Sequence, residues 1–126
     1  MQALIIQATK STPSVNFDPT TNILCMKGES YPENAAKFFG PIFLWLEEFL
    51  ASQDVVQAVV EIELIYFNSS SSKALMNFFE LLDNAVSDGR KIEVNWRYQK
   101  ENETALEAGE EYRDEARSLV FNLVET

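Results

Sequence analysis

The segment from Ile92 to Gln99 constrains the fold most strongly, because its residues alternate strictly between apolar and polar. The apolar positions are Ile92, Val94, Trp96 and Tyr98, and the polar positions are Glu93, Asn95, Arg97 and Gln99. Successive side chains of a β-strand point to opposite faces, so this pattern predicts a strand with one buried and one wet face. Strands covered by helices on both faces are instead continuously apolar. We therefore expect a sheet that helices cover mainly on one face.

Residues 55–67 form the longest strand-like run and alternate in the same way. Its inward face is expected to carry Val60, Ile62, Leu64 and Tyr66, and its outward face Glu61 and Glu63 beside Val59 and Ile65. Shorter strands are predicted for residues 4–7, 14–17, 23–27 (ended by Gly28) and 119–124, the last as a candidate edge strand. The composition of residues 18–22 predicts a turn, so the strands that flank it are expected to form a hairpin.

Three helices are predicted between the later strands. Ser30 and Glu33 have the spacing of a capping box, which predicts a first helix from there to about Leu50. Pro41 is expected to kink this helix or to split it after Gly40, because proline lacks a backbone donor. Apolar residues at helical spacing predict a second helix over residues 70–88, and an acidic third helix is predicted over residues 103–117.

The order of these elements predicts a mixed α/β domain. The early hairpin implies antiparallel pairing, and the later strand–helix–strand crossovers imply parallel pairing, so the sheet is expected to be mixed. The chain has 126 residues, of which 46% are apolar. That length and composition suffice for one core, so residues 1–126 are expected to form a single domain.

The charge balance argues against two classes of partner. The chain carries 20 acidic and 10 basic residues, a formal net charge of -10. Proteins that bind nucleic acids need a basic patch that displaces counterions from phosphates, and anionic membranes likewise attract basic segments. The basic residues of this chain are scattered among more numerous acids. Neither nucleic-acid binding nor membrane insertion is expected.

The histidine and cysteine counts argue against most enzyme chemistry. The chain has no histidine and one cysteine, so it lacks the usual general base and the usual zinc ligands. Its four glycines form no glycine-rich phosphate cradle. We expect no catalytic activity, metal or cofactor. The run from Ser70 to Lys73 matches the S-x-x-K pattern of penicillin-recognising acyl enzymes, but the companion motifs of that class are missing from the sequence.

Three sequence features predict a cytoplasmic location. The first residues lack the basic flank and the cleavage signal of a secretory leader. No stretch approaches the roughly 18 apolar residues of a membrane span. A single cysteine cannot form an internal disulfide, so the fold does not need an oxidising compartment.

The run Asn68-Ser69-Ser70-Ser71-Ser72-Lys73 is the most unusual segment, since it follows the longest strand and opens the second helix. One interpretation is structural, because serine and asparagine are the preferred N-cap residues of helices. One cap needs only one serine, however, and four follow one another here. The other interpretation is a phosphorylation switch at Ser69 or Ser70, because the dipole and free amides of a helix N-terminus tolerate an added anion.

Three segments carry a resemblance to a known family. They are residues 65–76 (Ile-Tyr-Phe-Asn-Ser-Ser-Ser-Ser-Lys-Ala-Leu-Met), residues 28–34 (Gly-Glu-Ser-Tyr-Pro-Glu-Asn) and residues 96–113. Over essentially its whole length the chain resembles the SiaC family of regulatory phosphoproteins. The resemblance implies a two-layer α/β fold similar to STAS domains, the anti-sigma-factor antagonists. Those domains carry an Asp-Ser-Ser-Gly segment at the same strand-to-helix junction and are phosphorylated on its first serine.

This resemblance places the phosphoacceptor. Residues 68–71 occupy the Asp-Ser-Ser-Gly segment, with Asn68 in place of the acidic residue and Ser71 in place of the glycine. Ser69 is the matching acceptor, and Ser70 is the next candidate.

The resemblance also implies a partner-switching cycle. A serine/threonine protein kinase adds the phosphate, and a PP2C-type phosphatase removes it. The unphosphorylated form binds and activates a diguanylate cyclase, which promotes cyclic-di-GMP signalling and biofilm formation or aggregation, and the phosphorylated form is released. The alternative is an anti-sigma-factor antagonist that acts on an anti-sigma kinase and thereby controls transcription.

The partner-binding surface is expected around the serine run, the first helix and the start of the second. Its predicted residues are Tyr31, Asn34, Phe38, Phe67, Asn68, Ser70, Ser71 and Lys73. Phosphorylation is expected to weaken effector binding, because it adds charge and a desolvation cost at this surface.

Overall fold

The computed structural model describes residues 1–52 and 57–126. In that part of the chain, strands and helices follow one another in the predicted order. The strands are β1 (Leu4–Ile6), β2 (Ser14–Asp18), β3 (Ile23–Ser30), β4 (Gln57–Phe67), β5 (Lys91–Tyr98) and β6 (Val120–Glu125). The helices are α1 (Ala35–Ala51), α2 (Ser69–Ser87) and α3 (Glu103–Glu115). The predicted start of the fourth strand at Val55 lies outside the described residues.

The described strands form one sheet in sequence order, β1-β2-β3-β4-β5-β6. The pairs β1–β2 and β2–β3 are antiparallel, whereas β3–β4, β4–β5 and β5–β6 are parallel. Each parallel pair is joined by a helix, as parallel pairing requires a crossover. The predicted mixed sheet, the β2–β3 hairpin and the edge position of β6 are confirmed.

One face of the sheet forms the hydrophobic core together with all three helices. The fully buried residues of the neighbouring strands β4 and β5 are Val60, Ile62, Leu64, Val94 and Trp96. The helices contribute, among others, Ile42, Leu46, Leu75, Phe78 and Tyr112 to the same core. The opposite face of β4 and β5 carries half-buried polar side chains: Glu61, Glu63, Glu93, Asn95 and Arg97. The prediction of helices on one face is therefore confirmed.

The start of α1 differs from the prediction. Its N-cap is Asn34, whose side-chain oxygen accepts a hydrogen bond from the backbone N–H of Lys37 (3.1 Å). Ser30, the predicted cap, is instead the last residue of β3, and its side chain is fully buried. The predicted capping box is wrong, because the Ser30 hydroxyl finds its partner inside the fold.

Helix α1 runs without interruption through Pro41, so it is not split after Gly40. Proline removes one backbone donor from a helix. Pro41 faces solvent, whereas the neighbouring Phe39 and Ile42 are buried in the core. Burial of the inner side of the helix therefore outweighs the hydrogen bond that is missing on its outer side.

A β-bulge interrupts the pairing of β3 with β4. Gly28 pairs with Leu64 and Glu29 pairs with Tyr66, so Ile65 has no partner on β3. Gly28 has a φ of +130°, a conformation that residues with a side chain rarely adopt. The prediction that this glycine ends the strand is wrong. Its backbone conformation instead lets β3 continue through the irregularity to Ser30.

The bulge reverses the alternation of side chains at the end of β4. An extra residue in one strand shifts every following side chain to the other face. Tyr66, which was predicted to face inward, is therefore 53% exposed. Phe67 turns inward instead and packs edge-to-face on Trp96, with ring centroids 5.8 Å apart.

The position of α3 on the sheet depends on Gly109, and this yields a first testable prediction. A Cβ at Gly109 would lie 2.5 Å from Cδ1 of Trp96 and 2.8 Å from Cδ2 of Leu123. Alanine favours a helix over glycine by about 1 kcal/mol, but overpacking a core costs about 1–3 kcal/mol. The indole cannot move aside freely, because its Nε1–H donates to the carbonyl of Ala105 (2.9 Å). We expect Gly109→Ala to lower the free energy of unfolding by up to about 2 kcal/mol in urea titrations.

Gly40 in α1 provides the matched control. A Cβ placed there meets no atom within 4 Å in the described part of the chain. Gly40→Ala should therefore leave the stability unchanged or raise it by up to about 1 kcal/mol. Equal stability of the two variants would show that α3 does not approach the sheet as closely as the structure indicates.

Candidate functional site

The serine run lies at the junction between the end of β4 and the first turn of α2. Asn68 is the N-cap of α2, and its side-chain oxygen accepts hydrogen bonds from the Ser71 backbone N–H (3.0 Å) and the Ser70 hydroxyl (3.1 Å). The backbone N–H of Asn68 donates to the carbonyl of Ser30 at the end of β3 (3.0 Å). The cap is thus an asparagine, and capping alone does not account for the serines that follow it.

The serines of the run differ in their surroundings. Ser71 is fully buried, and its hydroxyl lies 2.7 Å from the Ser30 hydroxyl and donates to the Ser30 carbonyl (2.9 Å). Ser72 is half-buried, whereas Ser69 and Ser70 are exposed. A modifying enzyme can therefore reach the hydroxyls of Ser69 and Ser70 without unfolding the junction.

Tyr112 of α3 forms hydrogen bonds with the hydroxyl and the carbonyl of Ser72. The two hydroxyl oxygens are 2.9 Å apart, and the tyrosine donates to the Ser72 carbonyl (3.0 Å). Burial raises the pKa of Tyr112, so its phenol stays protonated and remains a donor at neutral pH. These two bonds connect the first turn of α2 to α3.

An anion on Ser69 would have two favourable neighbours. Ser69 is the first residue of α2, where the positive end of the helix dipole stabilises negative charge. Lys73 is exposed and follows four residues later on the same helix, a spacing at which opposite charges attract. The fold can therefore accept a phosphate at this position and keep its helix.

The predicted partner-binding residues on the surface form two groups, one along a groove at the start of α1 and one at this junction. Tyr31 follows β3, and its ring contacts that of Tyr66 at a centroid distance of 5.6 Å. Asn34 is exposed at the start of α1, and Phe38 is half-buried. Tyr31, Asn34 and Phe38 line one open groove. Three further members of the predicted surface are at least partly exposed: Asn68, Ser70 and Lys73.

Two predicted members of this surface point into the fold. The prediction that Ser71 lies on the partner surface is wrong, because its fully buried side chain hydrogen-bonds to Ser30. Phe67 is partly buried, with its ring directed onto Trp96. Both side chains support the junction from inside.

Three residues that shape the site are not apparent from the sequence pattern: Ser30, Tyr66 and Asn102. The Asn102 side-chain N–H donates to the carbonyl of Ile65 (2.8 Å), and its oxygen caps α3 by accepting from the Ala105 N–H (3.1 Å). An asparagine before an acidic helix signals the cap. No local signal shows that the same side chain also reaches β4.

Residues 1–52 and 57–126 show neither a metal site nor a membrane-spanning helix. No group of three or more cysteine, aspartate or glutamate side chains in that part of the chain is placed to hold a metal ion. None of its helices is long and apolar enough to cross a membrane. In the S-x-x-K motif, the Ser70 hydroxyl donates to the side-chain oxygen of Asn68 (3.1 Å).

The fold and the site define a class of protein, a two-layer α/β domain whose exposed serines open the helix that follows a central parallel strand. Residues 6–126 match the family model described as SiaC family regulatory phosphoprotein, and the chain belongs to this family. A curated relative, an uncharacterized protein of Pseudomonas aeruginosa (strain UCBPP-PA14), is 39% identical over 116 residues, which cover 91% of this chain and 90% of that protein.

Solved structures from the same organism share the fold. The crystal structure of apo-SiaC from Pseudomonas aeruginosa matches with a TM-score of 0.85 and 33% identity, covering 100% of this chain and 99% of the other. The crystal structure of the diguanylate cyclase SiaD in complex with its activator SiaC matches with a TM-score of 0.91 and 36% identity, covering 98% of this chain and 99% of the matched chain. The predicted fold class and the resemblance to the SiaC family are confirmed.

Proposed function

We propose that this protein is a phosphorylation-switched activator of a diguanylate cyclase. Its unphosphorylated form binds and activates the cyclase, which promotes cyclic-di-GMP signalling and biofilm formation, and its phosphorylated form is released. The observation that carries the proposal is the match over 98% of the chain, at a TM-score of 0.91, to the SiaC complex with SiaD. Membership of a family of regulatory phosphoproteins supports a switch by phosphorylation.

Ser69 is the proposed acceptor, with Ser70 as the next candidate. Both side chains are exposed, whereas the other two serines of the run are engaged inside the fold. The Ser70 hydroxyl is also engaged, since it donates to Asn68. A phosphate adds nearly two negative charges and three acceptor oxygens. On Ser69 it changes the surface that a partner meets while the dipole of α2 stabilises the anion.

The remaining partners follow from the same proposal. A serine/threonine protein kinase and a PP2C-type phosphatase set the phosphorylation state in the cytoplasm. The chain itself has no catalytic role, which agrees with its lack of histidine and with the engagement of the Ser70 hydroxyl by Asn68. Its output is therefore the presence or absence of a complex.

Phosphorylation should add one phosphate, on Ser69, and weaken binding to the cyclase at least about 10-fold. The loss arises because the phosphate must give up its hydration when the interface closes over it. Intact mass and phosphosite mapping of the protein from its native host identify the acceptor. Calorimetric titration of both forms with the diguanylate cyclase of that host then gives the change in Kd, and cyclic-di-GMP synthesis gives the change in activation.

Ser69→Ala and Ser70→Ala form a matched pair of variants. With kinase and ATP present, Ser69→Ala should stay unphosphorylated and keep its affinity for the cyclase, whereas Ser70→Ala should behave like wild type. Phosphate on Ser70 alone would move the acceptor by one residue. If the serine run never becomes phosphorylated, the proposal of a phosphorylation switch is wrong. Binding to an anti-sigma kinase in place of the cyclase would favour the antagonist alternative.

A further inference from the structure

Two large apolar side chains lie next to each other on the surface before the serine run. Ile65 is 49% exposed and Tyr66 is 53% exposed. Tyr66 makes an edge contact with the half-buried ring of Tyr31, at a centroid distance of 5.6 Å. We call these three residues the tyrosine patch. Contiguous apolar side chains on the surface of a small domain commonly mark an interaction site, whereas scattered ones do not.

The tyrosine patch borders the proposed switch. Tyr66 precedes Ser69 by only three residues. Tyr31 directly follows Ser30, whose carbonyl accepts the hydrogen bond from the Asn68 N–H (3.0 Å). A partner that covers Ser69 therefore meets the tyrosine patch as well.

The exposure of Tyr66 is a built feature of the fold. It results from the bulge at Ile65, since regular alternation would turn Tyr66 into the core. β4 pairs with β5 only as far as Ile62. Beyond that point, the side chain of Asn102 donates to the Ile65 carbonyl (2.8 Å) and holds the bulged backbone to the start of α3. Asn102 thereby positions the tyrosine patch.

The charge beside the patch indicates the chemistry of its partner. Glu29 is the residue that pairs with Tyr66 across the β3–β4 ladder, and its side chain is exposed. Among residues 1–52 and 57–126, the ion pairs involve Lys27, Arg97 and Arg117, and none of these pairs with Glu29. An apolar patch with an unpaired carboxylate next to it is complementary to an apolar side chain that lies beside a cation.

We infer that the tyrosine patch is the anchor on which the diguanylate cyclase docks, through a segment that sets an apolar side chain against Tyr66 and a lysine or arginine against Glu29. The inference rests on the proposed function and adds to it the residues that supply affinity. The phosphate on Ser69 opposes docking, whereas the tyrosine patch supplies the contact that docking needs. Asn102 acts on this contact as a positioning residue.

Tyr66→Ala tests the anchor directly. Truncating a central aromatic residue of an interface typically weakens binding by more than about 10-fold. We expect at least that loss when unphosphorylated full-length protein is titrated with the diguanylate cyclase of its own host. Tyr66→Phe retains the ring and should bind within about 3-fold of wild type. Val120→Ala on the edge strand β6 is the matched control, because Val120 is 52% exposed outside the predicted partner surface, and it should bind like wild type.

Asn102→Asp separates positioning from stability. The carboxylate still accepts the Ala105 N–H and caps α3, but it has no N–H to donate to the Ile65 carbonyl. We expect the Kd for the cyclase to rise about 3- to 10-fold while the midpoint of thermal unfolding stays close to that of wild type. Unchanged affinity in this variant would show that Asn102 does not position the tyrosine patch for binding.

Glu29→Gln tests the cation on the partner. It should weaken binding and reduce the dependence of Kd on salt, because a screened charge pair is lost. If the Kd of Glu29→Gln depends on salt as strongly as that of wild type, a partner cation opposite Glu29 is excluded. If wild type binds the cyclase and Tyr66→Ala binds equally well, the anchor is wrong and the proposed function stands. If wild type does not bind the cyclase, the proposed function fails and the anchor fails with it.

Discussion

Replacing Asp83 with alanine is expected to lower the free energy of unfolding by about 2–4 kcal/mol, because backbone donors lose a charged acceptor and hydrogen bonds to charged groups contribute about 1.5–3 kcal/mol each. The side chain of Asp83 in α2 is only 7% exposed. Its carboxylate accepts backbone N–H groups at distances of 3.1, 2.8 and 2.9 Å from three successive residues: Arg117, Ser118 and Leu119. Alanine would leave these donors without an acceptor and release the segment that leads from α3 into β6.

The same carboxylate makes stability depend on pH. Burial alone raises the pKa of Asp83, but the three backbone donors and the Arg117 guanidinium outweigh it and hold the pKa below its ordinary range. Such a group stabilises the fold fully above its unfolded-state pKa of about 3.9, and this contribution is lost as the pH falls through the lower folded-state pKa. The stability difference between wild type and Asp83→Asn should therefore be constant near neutral pH and shrink below about pH 4.

Denaturant titrations near neutral and near acidic pH measure both effects. Asp83→Asn is the control, because its amide keeps one oxygen for the N–H groups of Ser118 and Leu119, which bind the same carboxylate oxygen. It loses the acceptor for Arg117, so we expect a smaller loss of about 1–2 kcal/mol at neutral pH. An alanine variant as stable as wild type would show that water replaces the carboxylate at no cost.

Trp96→Ala is expected to lower the free energy of unfolding by about 3–5 kcal/mol, because it removes a large side chain from a closed core. Trp96 is fully buried, and its Nε1–H donates to the Ala105 carbonyl (2.9 Å). Its ring contacts those of four other aromatic residues: Phe67, Phe79, Tyr112 and Phe121. The surrounding rings come from several strands and helices, so they cannot collapse together into the cavity.

The same substitution should loosen the switch site. Phe67, which packs on Trp96, directly precedes the N-cap Asn68. Tyr112, which also packs on Trp96, holds Ser72 in the first turn of α2. Loss of the indole removes the support behind both residues. We therefore expect faster amide hydrogen exchange at Ser71 and Ser72.

Urea titration and hydrogen exchange measured by mass spectrometry check these two effects. Trp96→Phe keeps a ring in the core and loses the bond to Ala105, so it should cost less than Trp96→Ala. Trp45→Ala is the second control, because Trp45 lies in the core among other aromatic rings. It should reduce stability without a selective change at the start of α2. A change in exchange that is equal in both tryptophan variants would contradict the proposed support.

The alternating pattern of residues 92–99 predicted the burial of Ile92, Val94 and Trp96 correctly. Successive side chains of a strand point to opposite faces, so the pattern depends only on neighbouring residues. The order of strands and helices followed from similar local signals. The serine run was placed correctly at the start of α2, since helix starts have their own composition. The family resemblance added the partner-switching cycle, which no local pattern indicates.

The errors lie where two distant segments decide the outcome together. Tyr66 obeys the alternation of β4 in the sequence, but Gly28 on β3 shifts the register and turns it outward. Ser30 has the spacing of a helix cap, but it pairs with Ser71, a residue far along the chain, inside the fold. In both cases a contact between distant segments, the β3–β4 pairing or the Ser30–Ser71 hydrogen bond, decides the outcome against the local pattern.

The sequence alone determined the mixed α/β class, the one-sided sheet and the position of the serine run, because each depends on the order and periodicity of neighbouring residues. Only the tertiary structure decided which serines reach the surface and that Tyr66 joins Tyr31 beside them. Those outcomes depend on hydrogen bonds that the Ser30 carbonyl accepts and that Asn102 and Tyr112 donate, and these residues lie in other parts of the fold. Such partners are brought together only when the sheet and its three helices pack, so their contribution has no counterpart in a local pattern.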